Sequence, residues 1–180
     1  MSVLRVPVTR ADHVQGPTDA LVTMVEYGDY ECPYCALAHP IVKNVQKYFG
    51  EQLRFAFRHF PLTQVHPNAQ SAAETSEFAG AHQLFWPMHD GLYANQANLG
   101  APLYFELTAA LGLQKDELRT ALEMGTYAPK VRNDFMGGVR SGVNGTPTFF
   151  IDGHRHNGSF DFKELVSAVD AALLQANASI

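Results

Sequence analysis

Tyr27-Gly28-Asp29-Tyr30-Glu31-Cys32-Pro33-Tyr34-Cys35 contains the only two cysteines of a 180-residue chain. The apolar run over residues 20–26 leads into it and predicts a buried strand. After it, Ala38, Ile41, Val42, Val45, Tyr48 and Phe49 recur at helical spacing and predict an amphipathic helix running to about Gly50. The cysteines therefore fall where a strand ends and a helix begins. Unpaired backbone N–H groups and the positive end of the helix dipole favour a thiolate on Cys32 there. Pro33 suits the first helical turn, where no donor is missed. Two intervening residues let the side chains of Cys32 and Cys35 meet and close a small disulfide ring. A Cys-x-x-Cys at such a junction reads as a redox motif.

Two other readings of the pair stay open. It is half of a tetrahedral zinc site, but such a site needs two more ligands. No further cysteine exists, and none of the eight histidines has a paired spacing that points here, although His39 lies four residues past Cys35. An inert structural disulfide is the other reading. It would close a very short loop and restrict the unfolded chain little.

The length suits one domain over residues 1–180 with a substantial core. Net charge is −5, with Lys and Arg scattered, so no basic patch argues for nucleic acid. No apolar run reaches membrane-spanning length, which predicts no membrane partner. The first residues lack a charged segment followed by a long apolar one, so a cytoplasmic location is the default expectation; a mature exported form given a starting Met would look the same.

Along the chain, residues 3–8 predict a short edge strand and residues 12–19 a turn-rich loop. Residues 20–27 and 53–60 predict strands flanking the cysteine helix, hence a parallel pair with a right-handed crossover. Pro40 inside that helix predicts a kink. From about 65 to 142 strand alternation gives way to helical segments near 67–79, 83–93, 103–111, 114–124 and 127–139. The run Gly145-Thr146-Pro147-Thr148-Phe149-Phe150-Ile151-Asp152-Gly153 predicts a strand closed by an Asp-Gly turn. Residues 154–158 predict its return strand, with His154 and His156 facing solvent. Asp161 and Glu164 form a capping box that opens a helix through about Gln175, with Leu165, Val169 and Leu173 as its buried stripe. The class is α/β with a mixed sheet.

This order resembles the DsbA-like thiol–disulfide oxidoreductase family, a thioredoxin fold with an inserted all-helical subdomain, over almost the whole chain. Four features carry the resemblance: Cys32-Pro33-Tyr34-Cys35; Pro40, eight residues past the first cysteine; Thr146-Pro147 before a strand, similar to the family's cis-proline loop; and Glu26, where the family keeps a buried acid. The resemblance implies that Pro147 lies against the Cys32 sulfur and that the Thr146 backbone pairs with an extended substrate, with Pro33 and Tyr34 beside it. It also implies that Glu26 accepts a proton from Cys35. An ionised Glu26 in an apolar run needs a partner or a proton, and Arg58 or His59 is the candidate partner. Two features depart from the family. The Pro-Tyr dipeptide is that of glutaredoxins, and Asp29 and Glu31 beside the motif are expected to oppose a strong thiolate.

The expectation is an enzyme that exchanges dithiol and disulfide with proteins or glutathione through a mixed disulfide on Cys32, resolved by Cys35, without cofactor or metal. Electrons come from a redox partner the sequence does not name. The alternatives are a glutaredoxin-like reductase using glutathione and a non-catalytic module binding zinc or an iron–sulfur cluster through the same cysteines. A glutathione transferase or isomerase fits less well, because it needs no second cysteine.

Overall fold

The computed structural model describes residues 2–178. Its element order is β1 (His13–Gln15), β2 (Val22–Gly28), α1 (Pro33–Phe49), β3 (Leu53–His59), α2 (Ala69–Ala81), α3 (Phe85–Ala94), α4 (Ala101–Ala110), α5 (Lys115–Met124), α6 (Ala128–Arg140), β4 (Thr148–Ile151), β5 (His154–Arg155) and α7 (Phe162–Ala178). The sheet runs β1-β3-β2-β4-β5. Only β2 and β3 pair in parallel; the remaining pairs are antiparallel, so the sheet is mixed. The α1 crossover makes the parallel pair possible. This is a thioredoxin-like α/β fold, with α2 to α6 inserted between β3 and β4.

Alternation along β2 decides what lies on each side. Val22 and Met24 join Leu53, Phe55 and Phe57 of β3 in a core shared with Val42 and Val45 of α1 and Leu165 and Val169 of α7. Val25 and Tyr27 face the other way and pack with Ala56, Phe60 and Phe150. Helix α6 covers that second face, where Phe135 stacks on Phe60 with ring centroids 4.4 Å apart. Gly138 lets it come close: a Cβ there would sit 2.7 Å from Phe60 Cδ2.

Several expectations need correction. Residues 3–8 form no strand; Val3 makes a lone bridge to His154. The edge strand is instead β1, inside the stretch read as a loop, and it exists through its pairing with Phe55, Ala56 and Phe57 of β3. The return strand β5 is two residues long. Tyr48 is 62% exposed, because α1 buries a narrower face through Cys35, Ala38, Val42, Val45 and Phe49. The capping box is half formed: Asp161 Oδ1 accepts the Glu164 N–H at 3.0 Å, while the Asp161 N–H goes to Ser159 Oγ. The inserted helices lie within a few residues of their predicted places. No helix among the described residues is long and apolar enough to cross a membrane.

Candidate active site

Cys32 is the residue before α1, and Cys35 lies in its first turn. Both are free thiols. The backbone N–H of Cys35 and of Ala36 donate to the Cys32 carbonyl at 3.1 and 3.2 Å, which closes the first turn around the pair. Cys35 is fully buried, and the backbone N–H of Asp29 donates to its sulfur at 3.5 Å. Cys32 is itself only 4% exposed, more covered than a helix-start position suggests. The chain before β4 closes over it: its Sγ donates to the Thr146 carbonyl at 3.3 Å. The Thr146–Pro147 peptide is cis, and Pro147 is half-buried. Around this covered sulfur, Pro33 is exposed, and Tyr34 and Leu37 present 62% and 60% of their surface.

The two thiols differ sharply in acidity. The Cys32 thiol is lowered to about 5, first by a hydrogen bond from the Cys35 thiol. The Thr146 side chain and the backbone N–H groups of Cys35 and Tyr34 add to this, and partial burial opposes it. The Thr146 hydroxyl is buried with no hydrogen-bond partner among the described residues, which leaves it able to donate to a Cys32 thiolate. Cys35 moves the opposite way. Burial pushes it well above its ordinary value, and a neighbouring Cys32 or Glu26 charge raises it further.

Glu26 sits on the α1 side of β2, buried at 3% exposure. Burial, with a smaller contribution from Cys32, raises its carboxyl to about 8. Neither expected partner serves it. Arg58 projects from the opposite face of the sheet, where Asp12 accepts from its Nε at 2.7 Å and Tyr27 Oη from its Nη1 at 3.0 Å. His59 bonds Glu77 at 2.8 Å.

The acids flanking the motif do not oppose the thiolate as expected. Asp29 turns inward and accepts the backbone N–H of Glu31 and of Leu62, each at 2.8 Å, and pairs with His66 Nδ1 at 2.8 Å. Glu31 accepts from the backbone and side chain of Asn68. Their charges hold the segment after β3 against the motif, and Cys32 remains acidic.

Gln96, just after α3, was invisible to sequence reading. Its Nε2 donates to the carbonyls of Tyr30 and Cys32 at 2.7 and 2.9 Å, clamping the turn that carries the nucleophile position. No motif marks it, because its partners are backbone atoms more than 60 residues away in the chain.

A strand-to-helix cysteine pair of unequal acidity, set beside a Thr-Pro loop in a sheet with inserted helices, is a thioredoxin-like arrangement. The thioredoxin family model matches residues 8–171, and the chain belongs to that family. Its fold is that of DsbA-type proteins. Oxidised BdbD from Bacillus subtilis superposes with a TM-score of 0.87 at 24% identity, covering 96% of this chain and 98% of that one. Wolbachia pipientis alpha-DsbA1 gives 0.83 at 21% identity, covering 98% and 97%. In sequence, the chain is 45% identical over 170 residues to Na(+)/H(+) antiporter NhaA 1 of Salinispora arenicola, covering 94% of this chain and 26% of the antiporter. The chain thus spans about a quarter of the length of the curated relatives it matches.

Proposed function

We propose that the chain exchanges its Cys32–Cys35 dithiol for disulfides in protein substrates. The observation that carries this reading is the divergence of two thiols three residues apart, one lowered to about 5 and the other raised and fully buried. At neutral pH Cys32 is a thiolate and Cys35 a thiol. A thiolate is the attacking species in exchange.

In the reducing direction the Cys32 thiolate attacks a substrate disulfide, forms the mixed disulfide and releases one substrate thiolate. Cys35 then loses its proton and attacks the Cys32 sulfur, forming the internal disulfide and releasing the second substrate thiolate. Two electrons pass to the substrate. The oxidising direction runs the same bonds backwards, and a redox partner restores the starting state. Glu26, raised to about 8, takes the Cys35 proton in the second step when it is ionised, a fraction that grows as pH rises toward 8. The Thr146 carbonyl, which takes the S–H of Cys32 when that thiol is protonated, receives a backbone donor of an extended substrate, and Pro147 bounds that groove. Pro33, Tyr34 and Leu37 give the groove an exposed apolar rim, which suits an unfolded polypeptide better than a small polar thiol.

The test is oxidative refolding of a reduced disulfide protein in a glutathione redox buffer, beside a glutathione reductase-coupled assay on a small glutathione mixed disulfide. Catalysed refolding at a low rate in the coupled assay supports the proposal. The reverse ranking makes the protein glutaredoxin-like, and loss of both activities in metal-replete protein supports the metal-binding alternative.

A further inference from the structure

Four residues past Cys35, His39 faces α3, where it meets His89, Asp90 and Tyr93. His39 Nε2 lies 3.1 Å from Asp90 Oδ1. The His39 and His89 rings stand with centroids 5.0 Å apart and planes at 66°. One donor atom from each of His39, His89 and Asp90 falls within 4.8 Å of the others. The three side chains line a small cavity of about 10 Å³, with Gln46 and Trp86 also on its wall. That is close to the space one atom-sized guest occupies.

The geometry points to a divalent transition-metal site, with zinc as the best match. Two imidazoles and one carboxylate are protein donors this ion takes at distances of about 2.0–2.2 Å, with water as its usual fourth ligand. Tetrahedral bonds of that length place ligand atoms roughly 3.4 Å apart. The His39–Asp90 spacing is already near that edge. The third donor, from His89, lies within 4.8 Å of both.

The surroundings are arranged as such a site requires. His89 is buried, and its Nδ1 bonds Tyr30 Oη at 2.9 Å. That contact orients the ring, the role outer partners play around metal-bound imidazoles, and with Nδ1 so engaged an ion would take Nε2. His39 is held by its stack on Tyr93, with centroids 4.9 Å apart. Lys43 competes for the site: its Nζ contacts Asp90 Oδ2 at 2.6 Å. The Lys43 side chain is 52% exposed, so its ammonium swings into solvent at little cost when an ion enters. The cysteines are not among these ligands, so the site is separate from the exchange chemistry.

The test uses the full chain with both Cys32→Ser and Cys35→Ser, which removes thiolate binding, after stripping with chelator. Zinc is titrated against a chromophoric competitor, and cobalt(II) reports coordination through its visible spectrum. The expected result is one ion per chain and an intense tetrahedral cobalt band. His39→Ala and Asp90→Asn, both near the surface, should each weaken binding more than about 100-fold, and Tyr30→Phe about 10-fold. Lys43→Gln should tighten it by up to about fivefold. Binding unchanged by His39→Ala and Asp90→Asn, in variants whose circular dichroism matches the parent, overturns the site. So does the absence of any zinc binding in the parent or in Lys43→Gln.

Discussion

The sulfur of Cys32 meets the carbonyl oxygen of Thr146 at 3.3 Å, joining the start of α1 to the loop before β4 across 114 residues. The side chain of the same threonine lowers the Cys32 thiol, and its buried hydroxyl has no hydrogen-bond partner among the described residues. Thr146 therefore acts on Cys32 twice, through its backbone as an acceptor for the thiol and through its side chain as a donor to the thiolate.

Thr146→Val keeps the branched shape and removes the donor. The rate of Cys32 alkylation should titrate with a midpoint near pH 5 in the wild type and at higher pH in the variant. Cys35 should stay unlabelled throughout in folded protein. An unmoved midpoint assigns the acidity of Cys32 to the helix start and Cys35 alone.

Glu26 provides a pH test. Its folded value, about 8, is above its ordinary one of 4.5, so between these the folded chain holds a proton the unfolded chain has released. Stability from this group is complete below pH 4.5 and is lost as pH rises toward 8, at no more than about 1.4 kcal/mol per pH unit. Urea unfolding of the disulfide form should show wild type falling relative to Glu26→Gln between pH 5 and 8. Stopped-flow kinetics of the reduced protein should show the variant slowed in the Cys35 step and not in the Cys32 step. Parallel stability curves with equal rates would return Glu26 to a merely structural role.

Glu77 has the opposite sign. Burial opposes its charge, but hydrogen bonds and charges from His13 and His59 win and hold its carboxyl well below the ordinary range. Lys130 adds a cation at 3.9 Å. Its contribution is present above about pH 4.5 and is lost on acidification. Glu77→Gln should cost about 3 kcal/mol at pH 7 and flatten the acid side of the stability curve. Wild-type stability in the variant would mean these groups are hydrated in solution.

Gly138→Ala should destabilise the fold by roughly 1–3 kcal/mol, because the new methyl meets Phe60 at the α6–sheet contact. Thermal melts beside a control at the exposed Ala171, Ala171→Ser, measure it. A neutral Gly138→Ala would show that α6 can shift outward freely.

Local signals were strong where one residue type had one physical use. The cysteine spacing, the apolar strands and the Thr-Pro entry to β4 are each decided by a few consecutive residues. What escaped was decided by distant partners. His13 to Gln15 carry no strand pattern and become β1 because β3 offers a free edge. Asp29 and Glu31 read as charges beside a thiolate, yet Leu62, His66 and Asn68 claim them from a segment more than 30 residues on. Strand parity shows in hindsight why Arg58 cannot serve Glu26. The two paired residues differ by one step in register, Glu26 with Phe57 and Tyr27 with Arg58, and so face opposite sides.

Trapping tests the central claim, that Cys32 attacks and Cys35 resolves, most directly. In Cys35→Ser the remaining hydroxyl cannot displace sulfur at neutral pH, because serine is a weak nucleophile without a neighbouring base. Incubated with reduced, unfolded protein and a glutathione redox buffer, then acid-quenched, Cys35→Ser should accumulate mixed disulfides on Cys32 that collapse with reductant. Cys32→Ser should accumulate none, since its one thiol is fully buried and poorly acidic. Mixed disulfides on Cys35 in Cys32→Ser, with none in Cys35→Ser, would contradict the account.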